Sequence, residues 1–123
     1  MAVNLFRLFQ HPKNLVDLTP QTLADKLSEP GVLIVDVRTR QEFLAGHLQG
    51  ARHAPLGKTG QLMANTDRDT PVVLICKTGH RSQAAARELL DLGFTQVHHL
   101  AGGIDRWRRQ GMPLSREGDS RLK

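Results

Sequence analysis

The chain has one cysteine, no tyrosine, one tryptophan and four phenylalanines among 123 residues. With one thiol, no intramolecular disulfide can form, and neither a Cys-x-x-Cys redox pair nor a cysteine zinc knuckle is available. A lone thiol fits a reducing compartment, so a cytoplasmic setting is expected. The shortage of aromatics excludes the interleaved aromatic and basic stripe on which single-stranded nucleic acids stack. The net charge of +5 does not restore that reading: +2 sits in residues 1–13 and +1 in residues 115–123, leaving +2 for residues 14–114. That is too little for an electrostatic footprint on nucleic acid, and no such partner is expected. No apolar run approaches the roughly 20 residues that cross a bilayer. Residues 1–9 are apolar but are broken by Arg7 and lack a small-residue cleavage site, so they do not read as a secretory signal. A helical arm folded onto the domain is the first expectation for them. A partner-binding or swapped element and a surface or targeting segment are the alternatives.

What is present describes one domain, long enough to build a core without disulfides or metal. The arm is expected over residues 1–14, the domain over 15–114 and a mobile charged tail over 115–123. Strands are expected at 15–18, 32–37, 50–54 (weak), 72–76 and 96–100. Between them, helices are expected at 20–27, 40–45, 59–64, 83–92 and 104–110. Thr19-Pro20 supplies an N-cap and a proline at the first helical position. In the fourth helix Ala85, Ala86, Leu89, Leu90 and Leu92 are expected on one side, opposite Arg87, Glu88 and Asp91. Gly93 stops that helix. Strands alternating with helices, two of them apolar on both faces, predict an α/β fold. Its sheet is expected to be mostly parallel, roughly five-stranded, with helices on both faces.

Cys76 stands where the apolar run Val72-Val73-Leu74-Ile75 ends and Lys77-Thr78-Gly79-His80-Arg81-Ser82 begins. Ligands of such sheets bind beyond the carboxyl ends of strands. Gly79 permits a tight turn, and consecutive amides there form an anion-binding nest reinforced by the following helix N-terminus. Lys77, His80 and Arg81 add positive charge, and the Thr78 and Ser82 hydroxyls are potential donors to sulfur. A thiolate is stabilised in such surroundings. The competing reading is an inert buried cysteine before an ordinary solvated turn, which would leave three basic residues in five positions without a purpose.

Other features favour structural roles. Asp36 and Arg38 read as ties between the strand end and neighbouring turns, with Arg38 near Glu42, rather than as a second catalytic pair. Gly102-Gly103 lacks a GxGxxG continuation and reads as close backbone packing. Trp107, three residues after Ile104, reads as core. Arg106, Arg108 and Arg109 form a solvated face, with docking of an acidic partner as the alternative. Gly57-Lys58-Thr59 resembles the end of a phosphate loop, but Arg52 occupies the position that needs glycine. His98 and His99 are adjacent on a strand, point to opposite faces and cannot hold one ion together.

Three separated motifs resemble those of the rhodanese family of sulfurtransferases, over roughly residues 15–114. The first is Asp36-Val37-Arg38 with Glu42-Phe43, Gly46-His47-Leu48 and Gly50-Ala51. The second is the Cys-x-x-Gly-x-Arg loop from Cys76 to Arg81, and the third is Leu100-Ala101-Gly102-Gly103 with Trp107. The resemblance implies that Cys76 takes a sulfane sulfur from a donor such as thiosulfate and holds it as a persulfide. That sulfur then passes to a thiophilic acceptor, cyanide or a thiol. Lys77, Thr78, Gly79, His80, Arg81 and Ser82 would form the sulfur pocket, without metal or organic cofactor. His47 would belong to the family turn rather than to the reaction. Four residues separate Cys76 from Arg81, whereas cysteine-dependent phosphatases place five there, which makes a phosphatase or arsenate reductase the weaker alternative. A relay module loaded by a protein partner, such as a cysteine desulfurase, is the stronger one.

Overall fold

A computed structural model describes residues 11–116. Most of the expected N-terminal arm and charged tail therefore lies outside the described residues. Five parallel strands form one sheet: β1 (Leu15–Leu18), β2 (Leu33–Asp36), β3 (Arg52–His53), β4 (Val72–Ile75) and β5 (Val97–Leu100), in the spatial order β1-β5-β4-β2-β3. The helices are α1 (Pro20–Lys26), α2 (Arg40–Ala45), α3 (Thr59–Leu62), α4 (Arg81–Asp91) and α5 (Gly103–Arg109). The expected α/β architecture is therefore present, and its sheet is wholly parallel.

β4 lies at the centre, with Leu33 to Asp36 of β2 paired to Val72 to Ile75 on one side and β5 on the other. All four of its residues are buried, because helices cover both faces. The alternating side chains divide the core in two. Val72, Leu74 and Cys76 join Ala85, Ala86, Leu89 and Phe94 beneath α3 and α4. Val73 and Ile75 join Leu23, Phe43, Ile104 and Trp107 beneath α1, α2 and α5. Each fully buried aliphatic side chain contributes about 1.5–3 kcal/mol relative to exposure.

Local signals place the helix starts. Thr19 accepts a hydrogen bond from the Thr22 amide ahead of Pro20. Thr39 and Glu42 form a reciprocal capping box at α2. α4 starts at Arg81, two residues earlier than expected, and His80 gives it no side-chain cap. Leu92 departs from expectation: it is 43% exposed. The helix ends at Asp91 and Gly93 turns with φ +98°, so Phe94, 2% exposed, enters the core instead. The weak third strand contracts to two residues, with Ala51 and Ala54 buried on either side of it. At the far end, Ser115 and His47 exchange two backbone hydrogen bonds of 2.9 and 2.7 Å.

The start of α5 is packed directly on the loop after β4. The Ile104 and Asp105 amides donate to the carbonyls of Cys76 and Lys77 at 2.9 and 3.0 Å. A β-carbon on Gly103 (φ +66°) would lie 2.3 Å from the Lys77 carbonyl oxygen. Gly103→Ala must therefore force these backbones apart, and it should destabilise the domain by more than about 2 kcal/mol. Urea unfolding of the purified variant checks this; an unchanged midpoint would contradict the packing argument.

Candidate active site at the end of the central strand

Cys76 follows the last residue of β4, and its side chain points toward α4, where it is 1% exposed. Gly79 turns the chain back with φ +99° and donates its amide hydrogen to Cys76 Sγ at 3.0 Å. A β-carbon at Gly79 would come within 3.1 Å of the Gly102 nitrogen, so the turn is closed by backbone from the α5 side. Ser82, in the first turn of α4 and fully buried, brings its Oγ to 3.4 Å from Sγ. Two of the expected pocket residues, Gly79 and Ser82, thus contact the sulfur directly.

The charged members are arranged differently from a simple cationic cradle. Arg81 forms a two-pronged ion pair with Glu42, Nη1 to Oε1 at 2.7 Å and Nη2 to Oε2 at 2.9 Å. Lys77 Nζ lies 2.8 Å from Asp105 Oδ2. It lines a cavity of about 150 Å³, shared with Arg38, Glu42 and Arg108, that Cys76 does not line. Thr78 Oγ1 and His80 Nδ1 are 3.0 Å apart on the exposed rim. Two of the three basic side chains in the loop are therefore neutralised by carboxylates from α2 and α5.

Asp36 and Arg38 pair with each other. Arg38 Nε lies 3.0 and 3.1 Å from the Asp36 oxygens, and Nη2 lies 2.8 Å from Oδ2, with both residues buried. Arg38 Nη2 also donates to the Gly46 carbonyl at 2.6 Å, and its own carbonyl contacts His53 Nε2 at 2.7 Å. Arg38 and Glu42 line one cavity, as expected, but they are not each other's principal ion-pair partners. The partner of Arg38 is two residues back, at the strand end, while Glu42 faces Arg81. His47 is buried, stacked on Phe43 at 3.9 Å and bonded to the Phe43 carbonyl.

Two further residues, neither assigned to the site from sequence, join it. His99 of β5, 2% exposed, lies 2.7 Å from Ser82 Oγ through Nδ1 and 2.8 Å from Asp17 Oδ1 through Nε2. The signal that was available is period-2 alternation: His99 shares the α4 face with Val97. His98 instead contacts the Val72 carbonyl. Burial pushes His99 below the usual histidine range, and Asp17 pulls it partly back. Burial also works against the Asp17 charge, yet hydrogen bonds from His11 and His99 hold its carboxyl below the ordinary value.

His11, Asp17 and His99 offer ligand atoms within 4.8 Å of one another. Both imidazole Nε2 atoms approach one Asp17 oxygen, at 2.6 and 2.8 Å. Ligand atoms around a tetrahedral zinc stand about 3.3 Å apart, so these contacts have the spacing of hydrogen bonds to a shared acceptor.

The fold and the sulfur-centred loop define an α/β protein with a candidate site at the end of its central strand. Residues 19–110 match the family model for the rhodanese-like domain. Thiosulfate sulfurtransferase GlpE of Pseudomonas putida is 35% identical over 91 residues, covering 74% of this chain and 83% of that protein. GlpE of Pseudomonas aeruginosa is 39% identical over 85 residues, covering 69% and 77%. The polysulfide-sulfur transferase homodimer of Wolinella succinogenes superposes with a TM-score of 0.75 at 28% identity, covering 89% of this chain and 85% of that one. The chain belongs to the rhodanese-like domain family and is a sulfurtransferase of the rhodanese type.

The Glu42–Arg81 pair carries a pH signature. Hydrogen bonds from Arg81, opposed by burial and helped by Thr39, lower Glu42 from 4.5 to about 2. A depressed carboxyl stabilises the fold fully above its unfolded value, so this contribution is complete above pH 4.5 and disappears as pH falls toward 2. Both side chains remain about one third exposed, so solvent screening limits the effect to about 1 kcal/mol. Glu42→Gln should lower stability by about that amount at neutral pH and by much less near pH 2. Urea midpoints across this range test the assignment; equal midpoints for parent and variant at neutral pH would contradict it.

Proposed function

We infer that the protein moves a sulfane sulfur from thiosulfate, or from a persulfide donor, to a thiophilic acceptor through a persulfide on Cys76. The observation that carries this reading is the single sulfur atom held at the mouth of the sheet. Gly79 donates to it at 3.0 Å, and the Ser82 hydroxyl stands at 3.4 Å. In the first step the Cys76 thiolate attacks the outer sulfur of thiosulfate. The S–S bond of the donor breaks, its electron pair leaves with sulfite, and a cysteine persulfide anion remains. In the second step cyanide or a thiolate attacks the terminal sulfur, and the Cys76 thiolate is released as leaving group. Two easier displacements replace one difficult transfer, and fixed N–H and O–H dipoles stabilise the anionic sulfur at both stages.

The residues of the pocket then divide by role. Cys76 is the nucleophile, and Gly79 and Ser82 support the anion. Arg81, tied to Glu42, anchors the loop, while Lys77, Thr78 and His80 form the outer rim that meets the donor. Because Cys76 is 1% exposed, that rim must open for each turnover. The exposed rim around a covered thiol also favours a second reading, in which a protein partner such as a cysteine desulfurase docks there and loads Cys76. A phosphatase reading is disfavoured by the pairing of Arg81 with Glu42, which engages the guanidinium that would clasp a phosphoryl group.

Cys76→Ser should abolish sulfur transfer while leaving the unfolding transition in place. Intact-protein mass spectrometry should find one sulfur atom gained by the parent after thiosulfate treatment, none by the variant, and loss of that sulfur on reduction. Efficient aryl phosphate hydrolysis with no sulfur gained would reverse the order of the readings. Sulfur uptake from a desulfurase far exceeding thiosulfate turnover would favour the relay. Lys77→Ala should lower kcat/KM for thiosulfate several-fold, more at low salt than at high salt because the attraction is screened. A variant equal to the parent at both salt concentrations removes Lys77 from donor capture.

A further inference from the structure

We propose that Ser82, His99 and Asp17 form a proton relay that removes the thiol proton of Cys76, making His99 a positioning residue for the nucleophile. The proposal rests on the sulfur-transfer reading for the identity of the nucleophile, and goes beyond it in naming where its proton goes.

The direction of each hydrogen bond follows from what each group can donate. An Asp17 carboxylate only accepts, so the two Nε2 atoms at 2.6 and 2.8 Å from its Oδ1 both carry hydrogen. A neutral His99 with hydrogen on Nε2 presents a bare lone pair at Nδ1. The polar hydrogen within reach of that lone pair is the Ser82 hydroxyl, 2.7 Å away. With its hydrogen turned toward His99, Ser82 Oγ presents lone pairs to the Cys76 thiol at 3.4 Å. The resting chain therefore runs from S–H to hydroxyl oxygen, from O–H to Nδ1, and from Nε2–H to carboxylate.

Activation shifts one proton along each of the first two links. The thiol proton goes to Ser82 Oγ as the hydroxyl proton of Ser82 passes to His99 Nδ1. Nothing is oxidised or reduced, and no atom leaves. The products are a thiolate receiving hydrogen bonds from Gly79 N–H and Ser82 O–H, and an imidazolium held between Ser82 and the Asp17 carboxylate. Ser82 can also donate to the Gly79 carbonyl at 3.2 Å, a weaker option once a negative sulfur stands beside it.

The surroundings favour this route. Cys76, Ser82 and His99 are 1%, 0% and 2% exposed, so bulk water does not serve as the base. Asp17, whose side chain is 54% exposed, connects the buried end to solvent. The ionisable groups that face His99 are Asp17 on β1 and His11 just before it, with Ser82 of α4 standing between His99 and Cys76, which follows β4. The burial of His99 keeps the resting imidazole neutral and ready to accept, while Asp17 stabilises the charged form once made.

Because Cys76 is the only cysteine, alkylation of the full-length protein by iodoacetamide reports on this thiol alone. The readout is the pH at which the alkylation rate reaches half its maximum. His99→Gln keeps polar atoms at the site but cannot hold the extra proton. It should raise that midpoint by about one pH unit or more, slowing alkylation about tenfold at neutral pH. Asp17→Asn should raise it by a smaller amount, Ser82→Ala should raise it as His99→Gln does, and Ser82→Thr should restore much of the parent profile. A midpoint for His99→Gln within error of the parent overturns the relay. If circular dichroism shows that His99→Gln does not fold, the exposed-site variant Asp17→Asn decides in the same way. Alkylation needs no sulfur donor, so the outcomes separate: shifted midpoints without sulfur transfer sink the enzymatic reading alone, and unchanged midpoints with active transfer sink the relay alone.

Discussion

The turn from Cys76 to Gly79 depends on backbone clamped to backbone. The strand ends, the chain reverses within three residues, and the carbonyls of Cys76 and Lys77 are taken by the first amides of α5. Gly103 has no side chain, so the two segments approach closely enough to make those bonds. The reversed chain then brings the Gly79 amide over the sulfur and starts α4 with Ser82 beside it. Placing a reactive atom on rigid elements in this way means that the sulfur is met by dipoles already oriented, which need no reorganisation when charge develops on it.

Around that turn, charge is arranged to anchor as much as to attract. Arg81 is held by Glu42 of α2, Lys77 by Asp105 of α5, and Arg38 by Asp36 at the end of β2. Glu42 has two duties, since one of its oxygens also completes the capping box of its own helix. The carboxyl ends of β2 and β4 are thereby tied to the two helices that flank the site. What remains to stabilise an anionic sulfur is chiefly neutral: an amide, a hydroxyl and, through that hydroxyl, a buried imidazole.

Much of this was legible in the residues. The helix starts at Thr19-Pro20 and Thr39 are local, since a cap and its amide lie within one turn. The buried central strand was legible because an apolar run of that length has few other homes, and Cys76 because it ends that run. The errors and omissions share a cause. Leu92 was placed on the core side because helical periodicity was carried one residue past the true end. Arg38 does lie near Glu42, in one cavity, but the ion-pair partner of Glu42 is Arg81, 39 residues away, which a local reading does not supply. His98 and His99 are read together only as a shared ion site that strand geometry forbids, and the contact of His99 with Asp17, 82 residues distant in sequence, has no local signal.

The sequence by itself determined the elements, the turn chemistry and the candidate nucleophile, because these depend on contacts within a few residues and on chemistry that only a cysteine supplies. The tertiary structure alone decided which charges are spent on anchoring, and which hydroxyl and imidazole stand in line behind the sulfur. Strand order sets those pairings. With β5 laid between β1 and β4, His99 falls between Asp17 and Ser82. No local pattern encodes that neighbourhood, since it arises only when separate segments of chain are brought side by side.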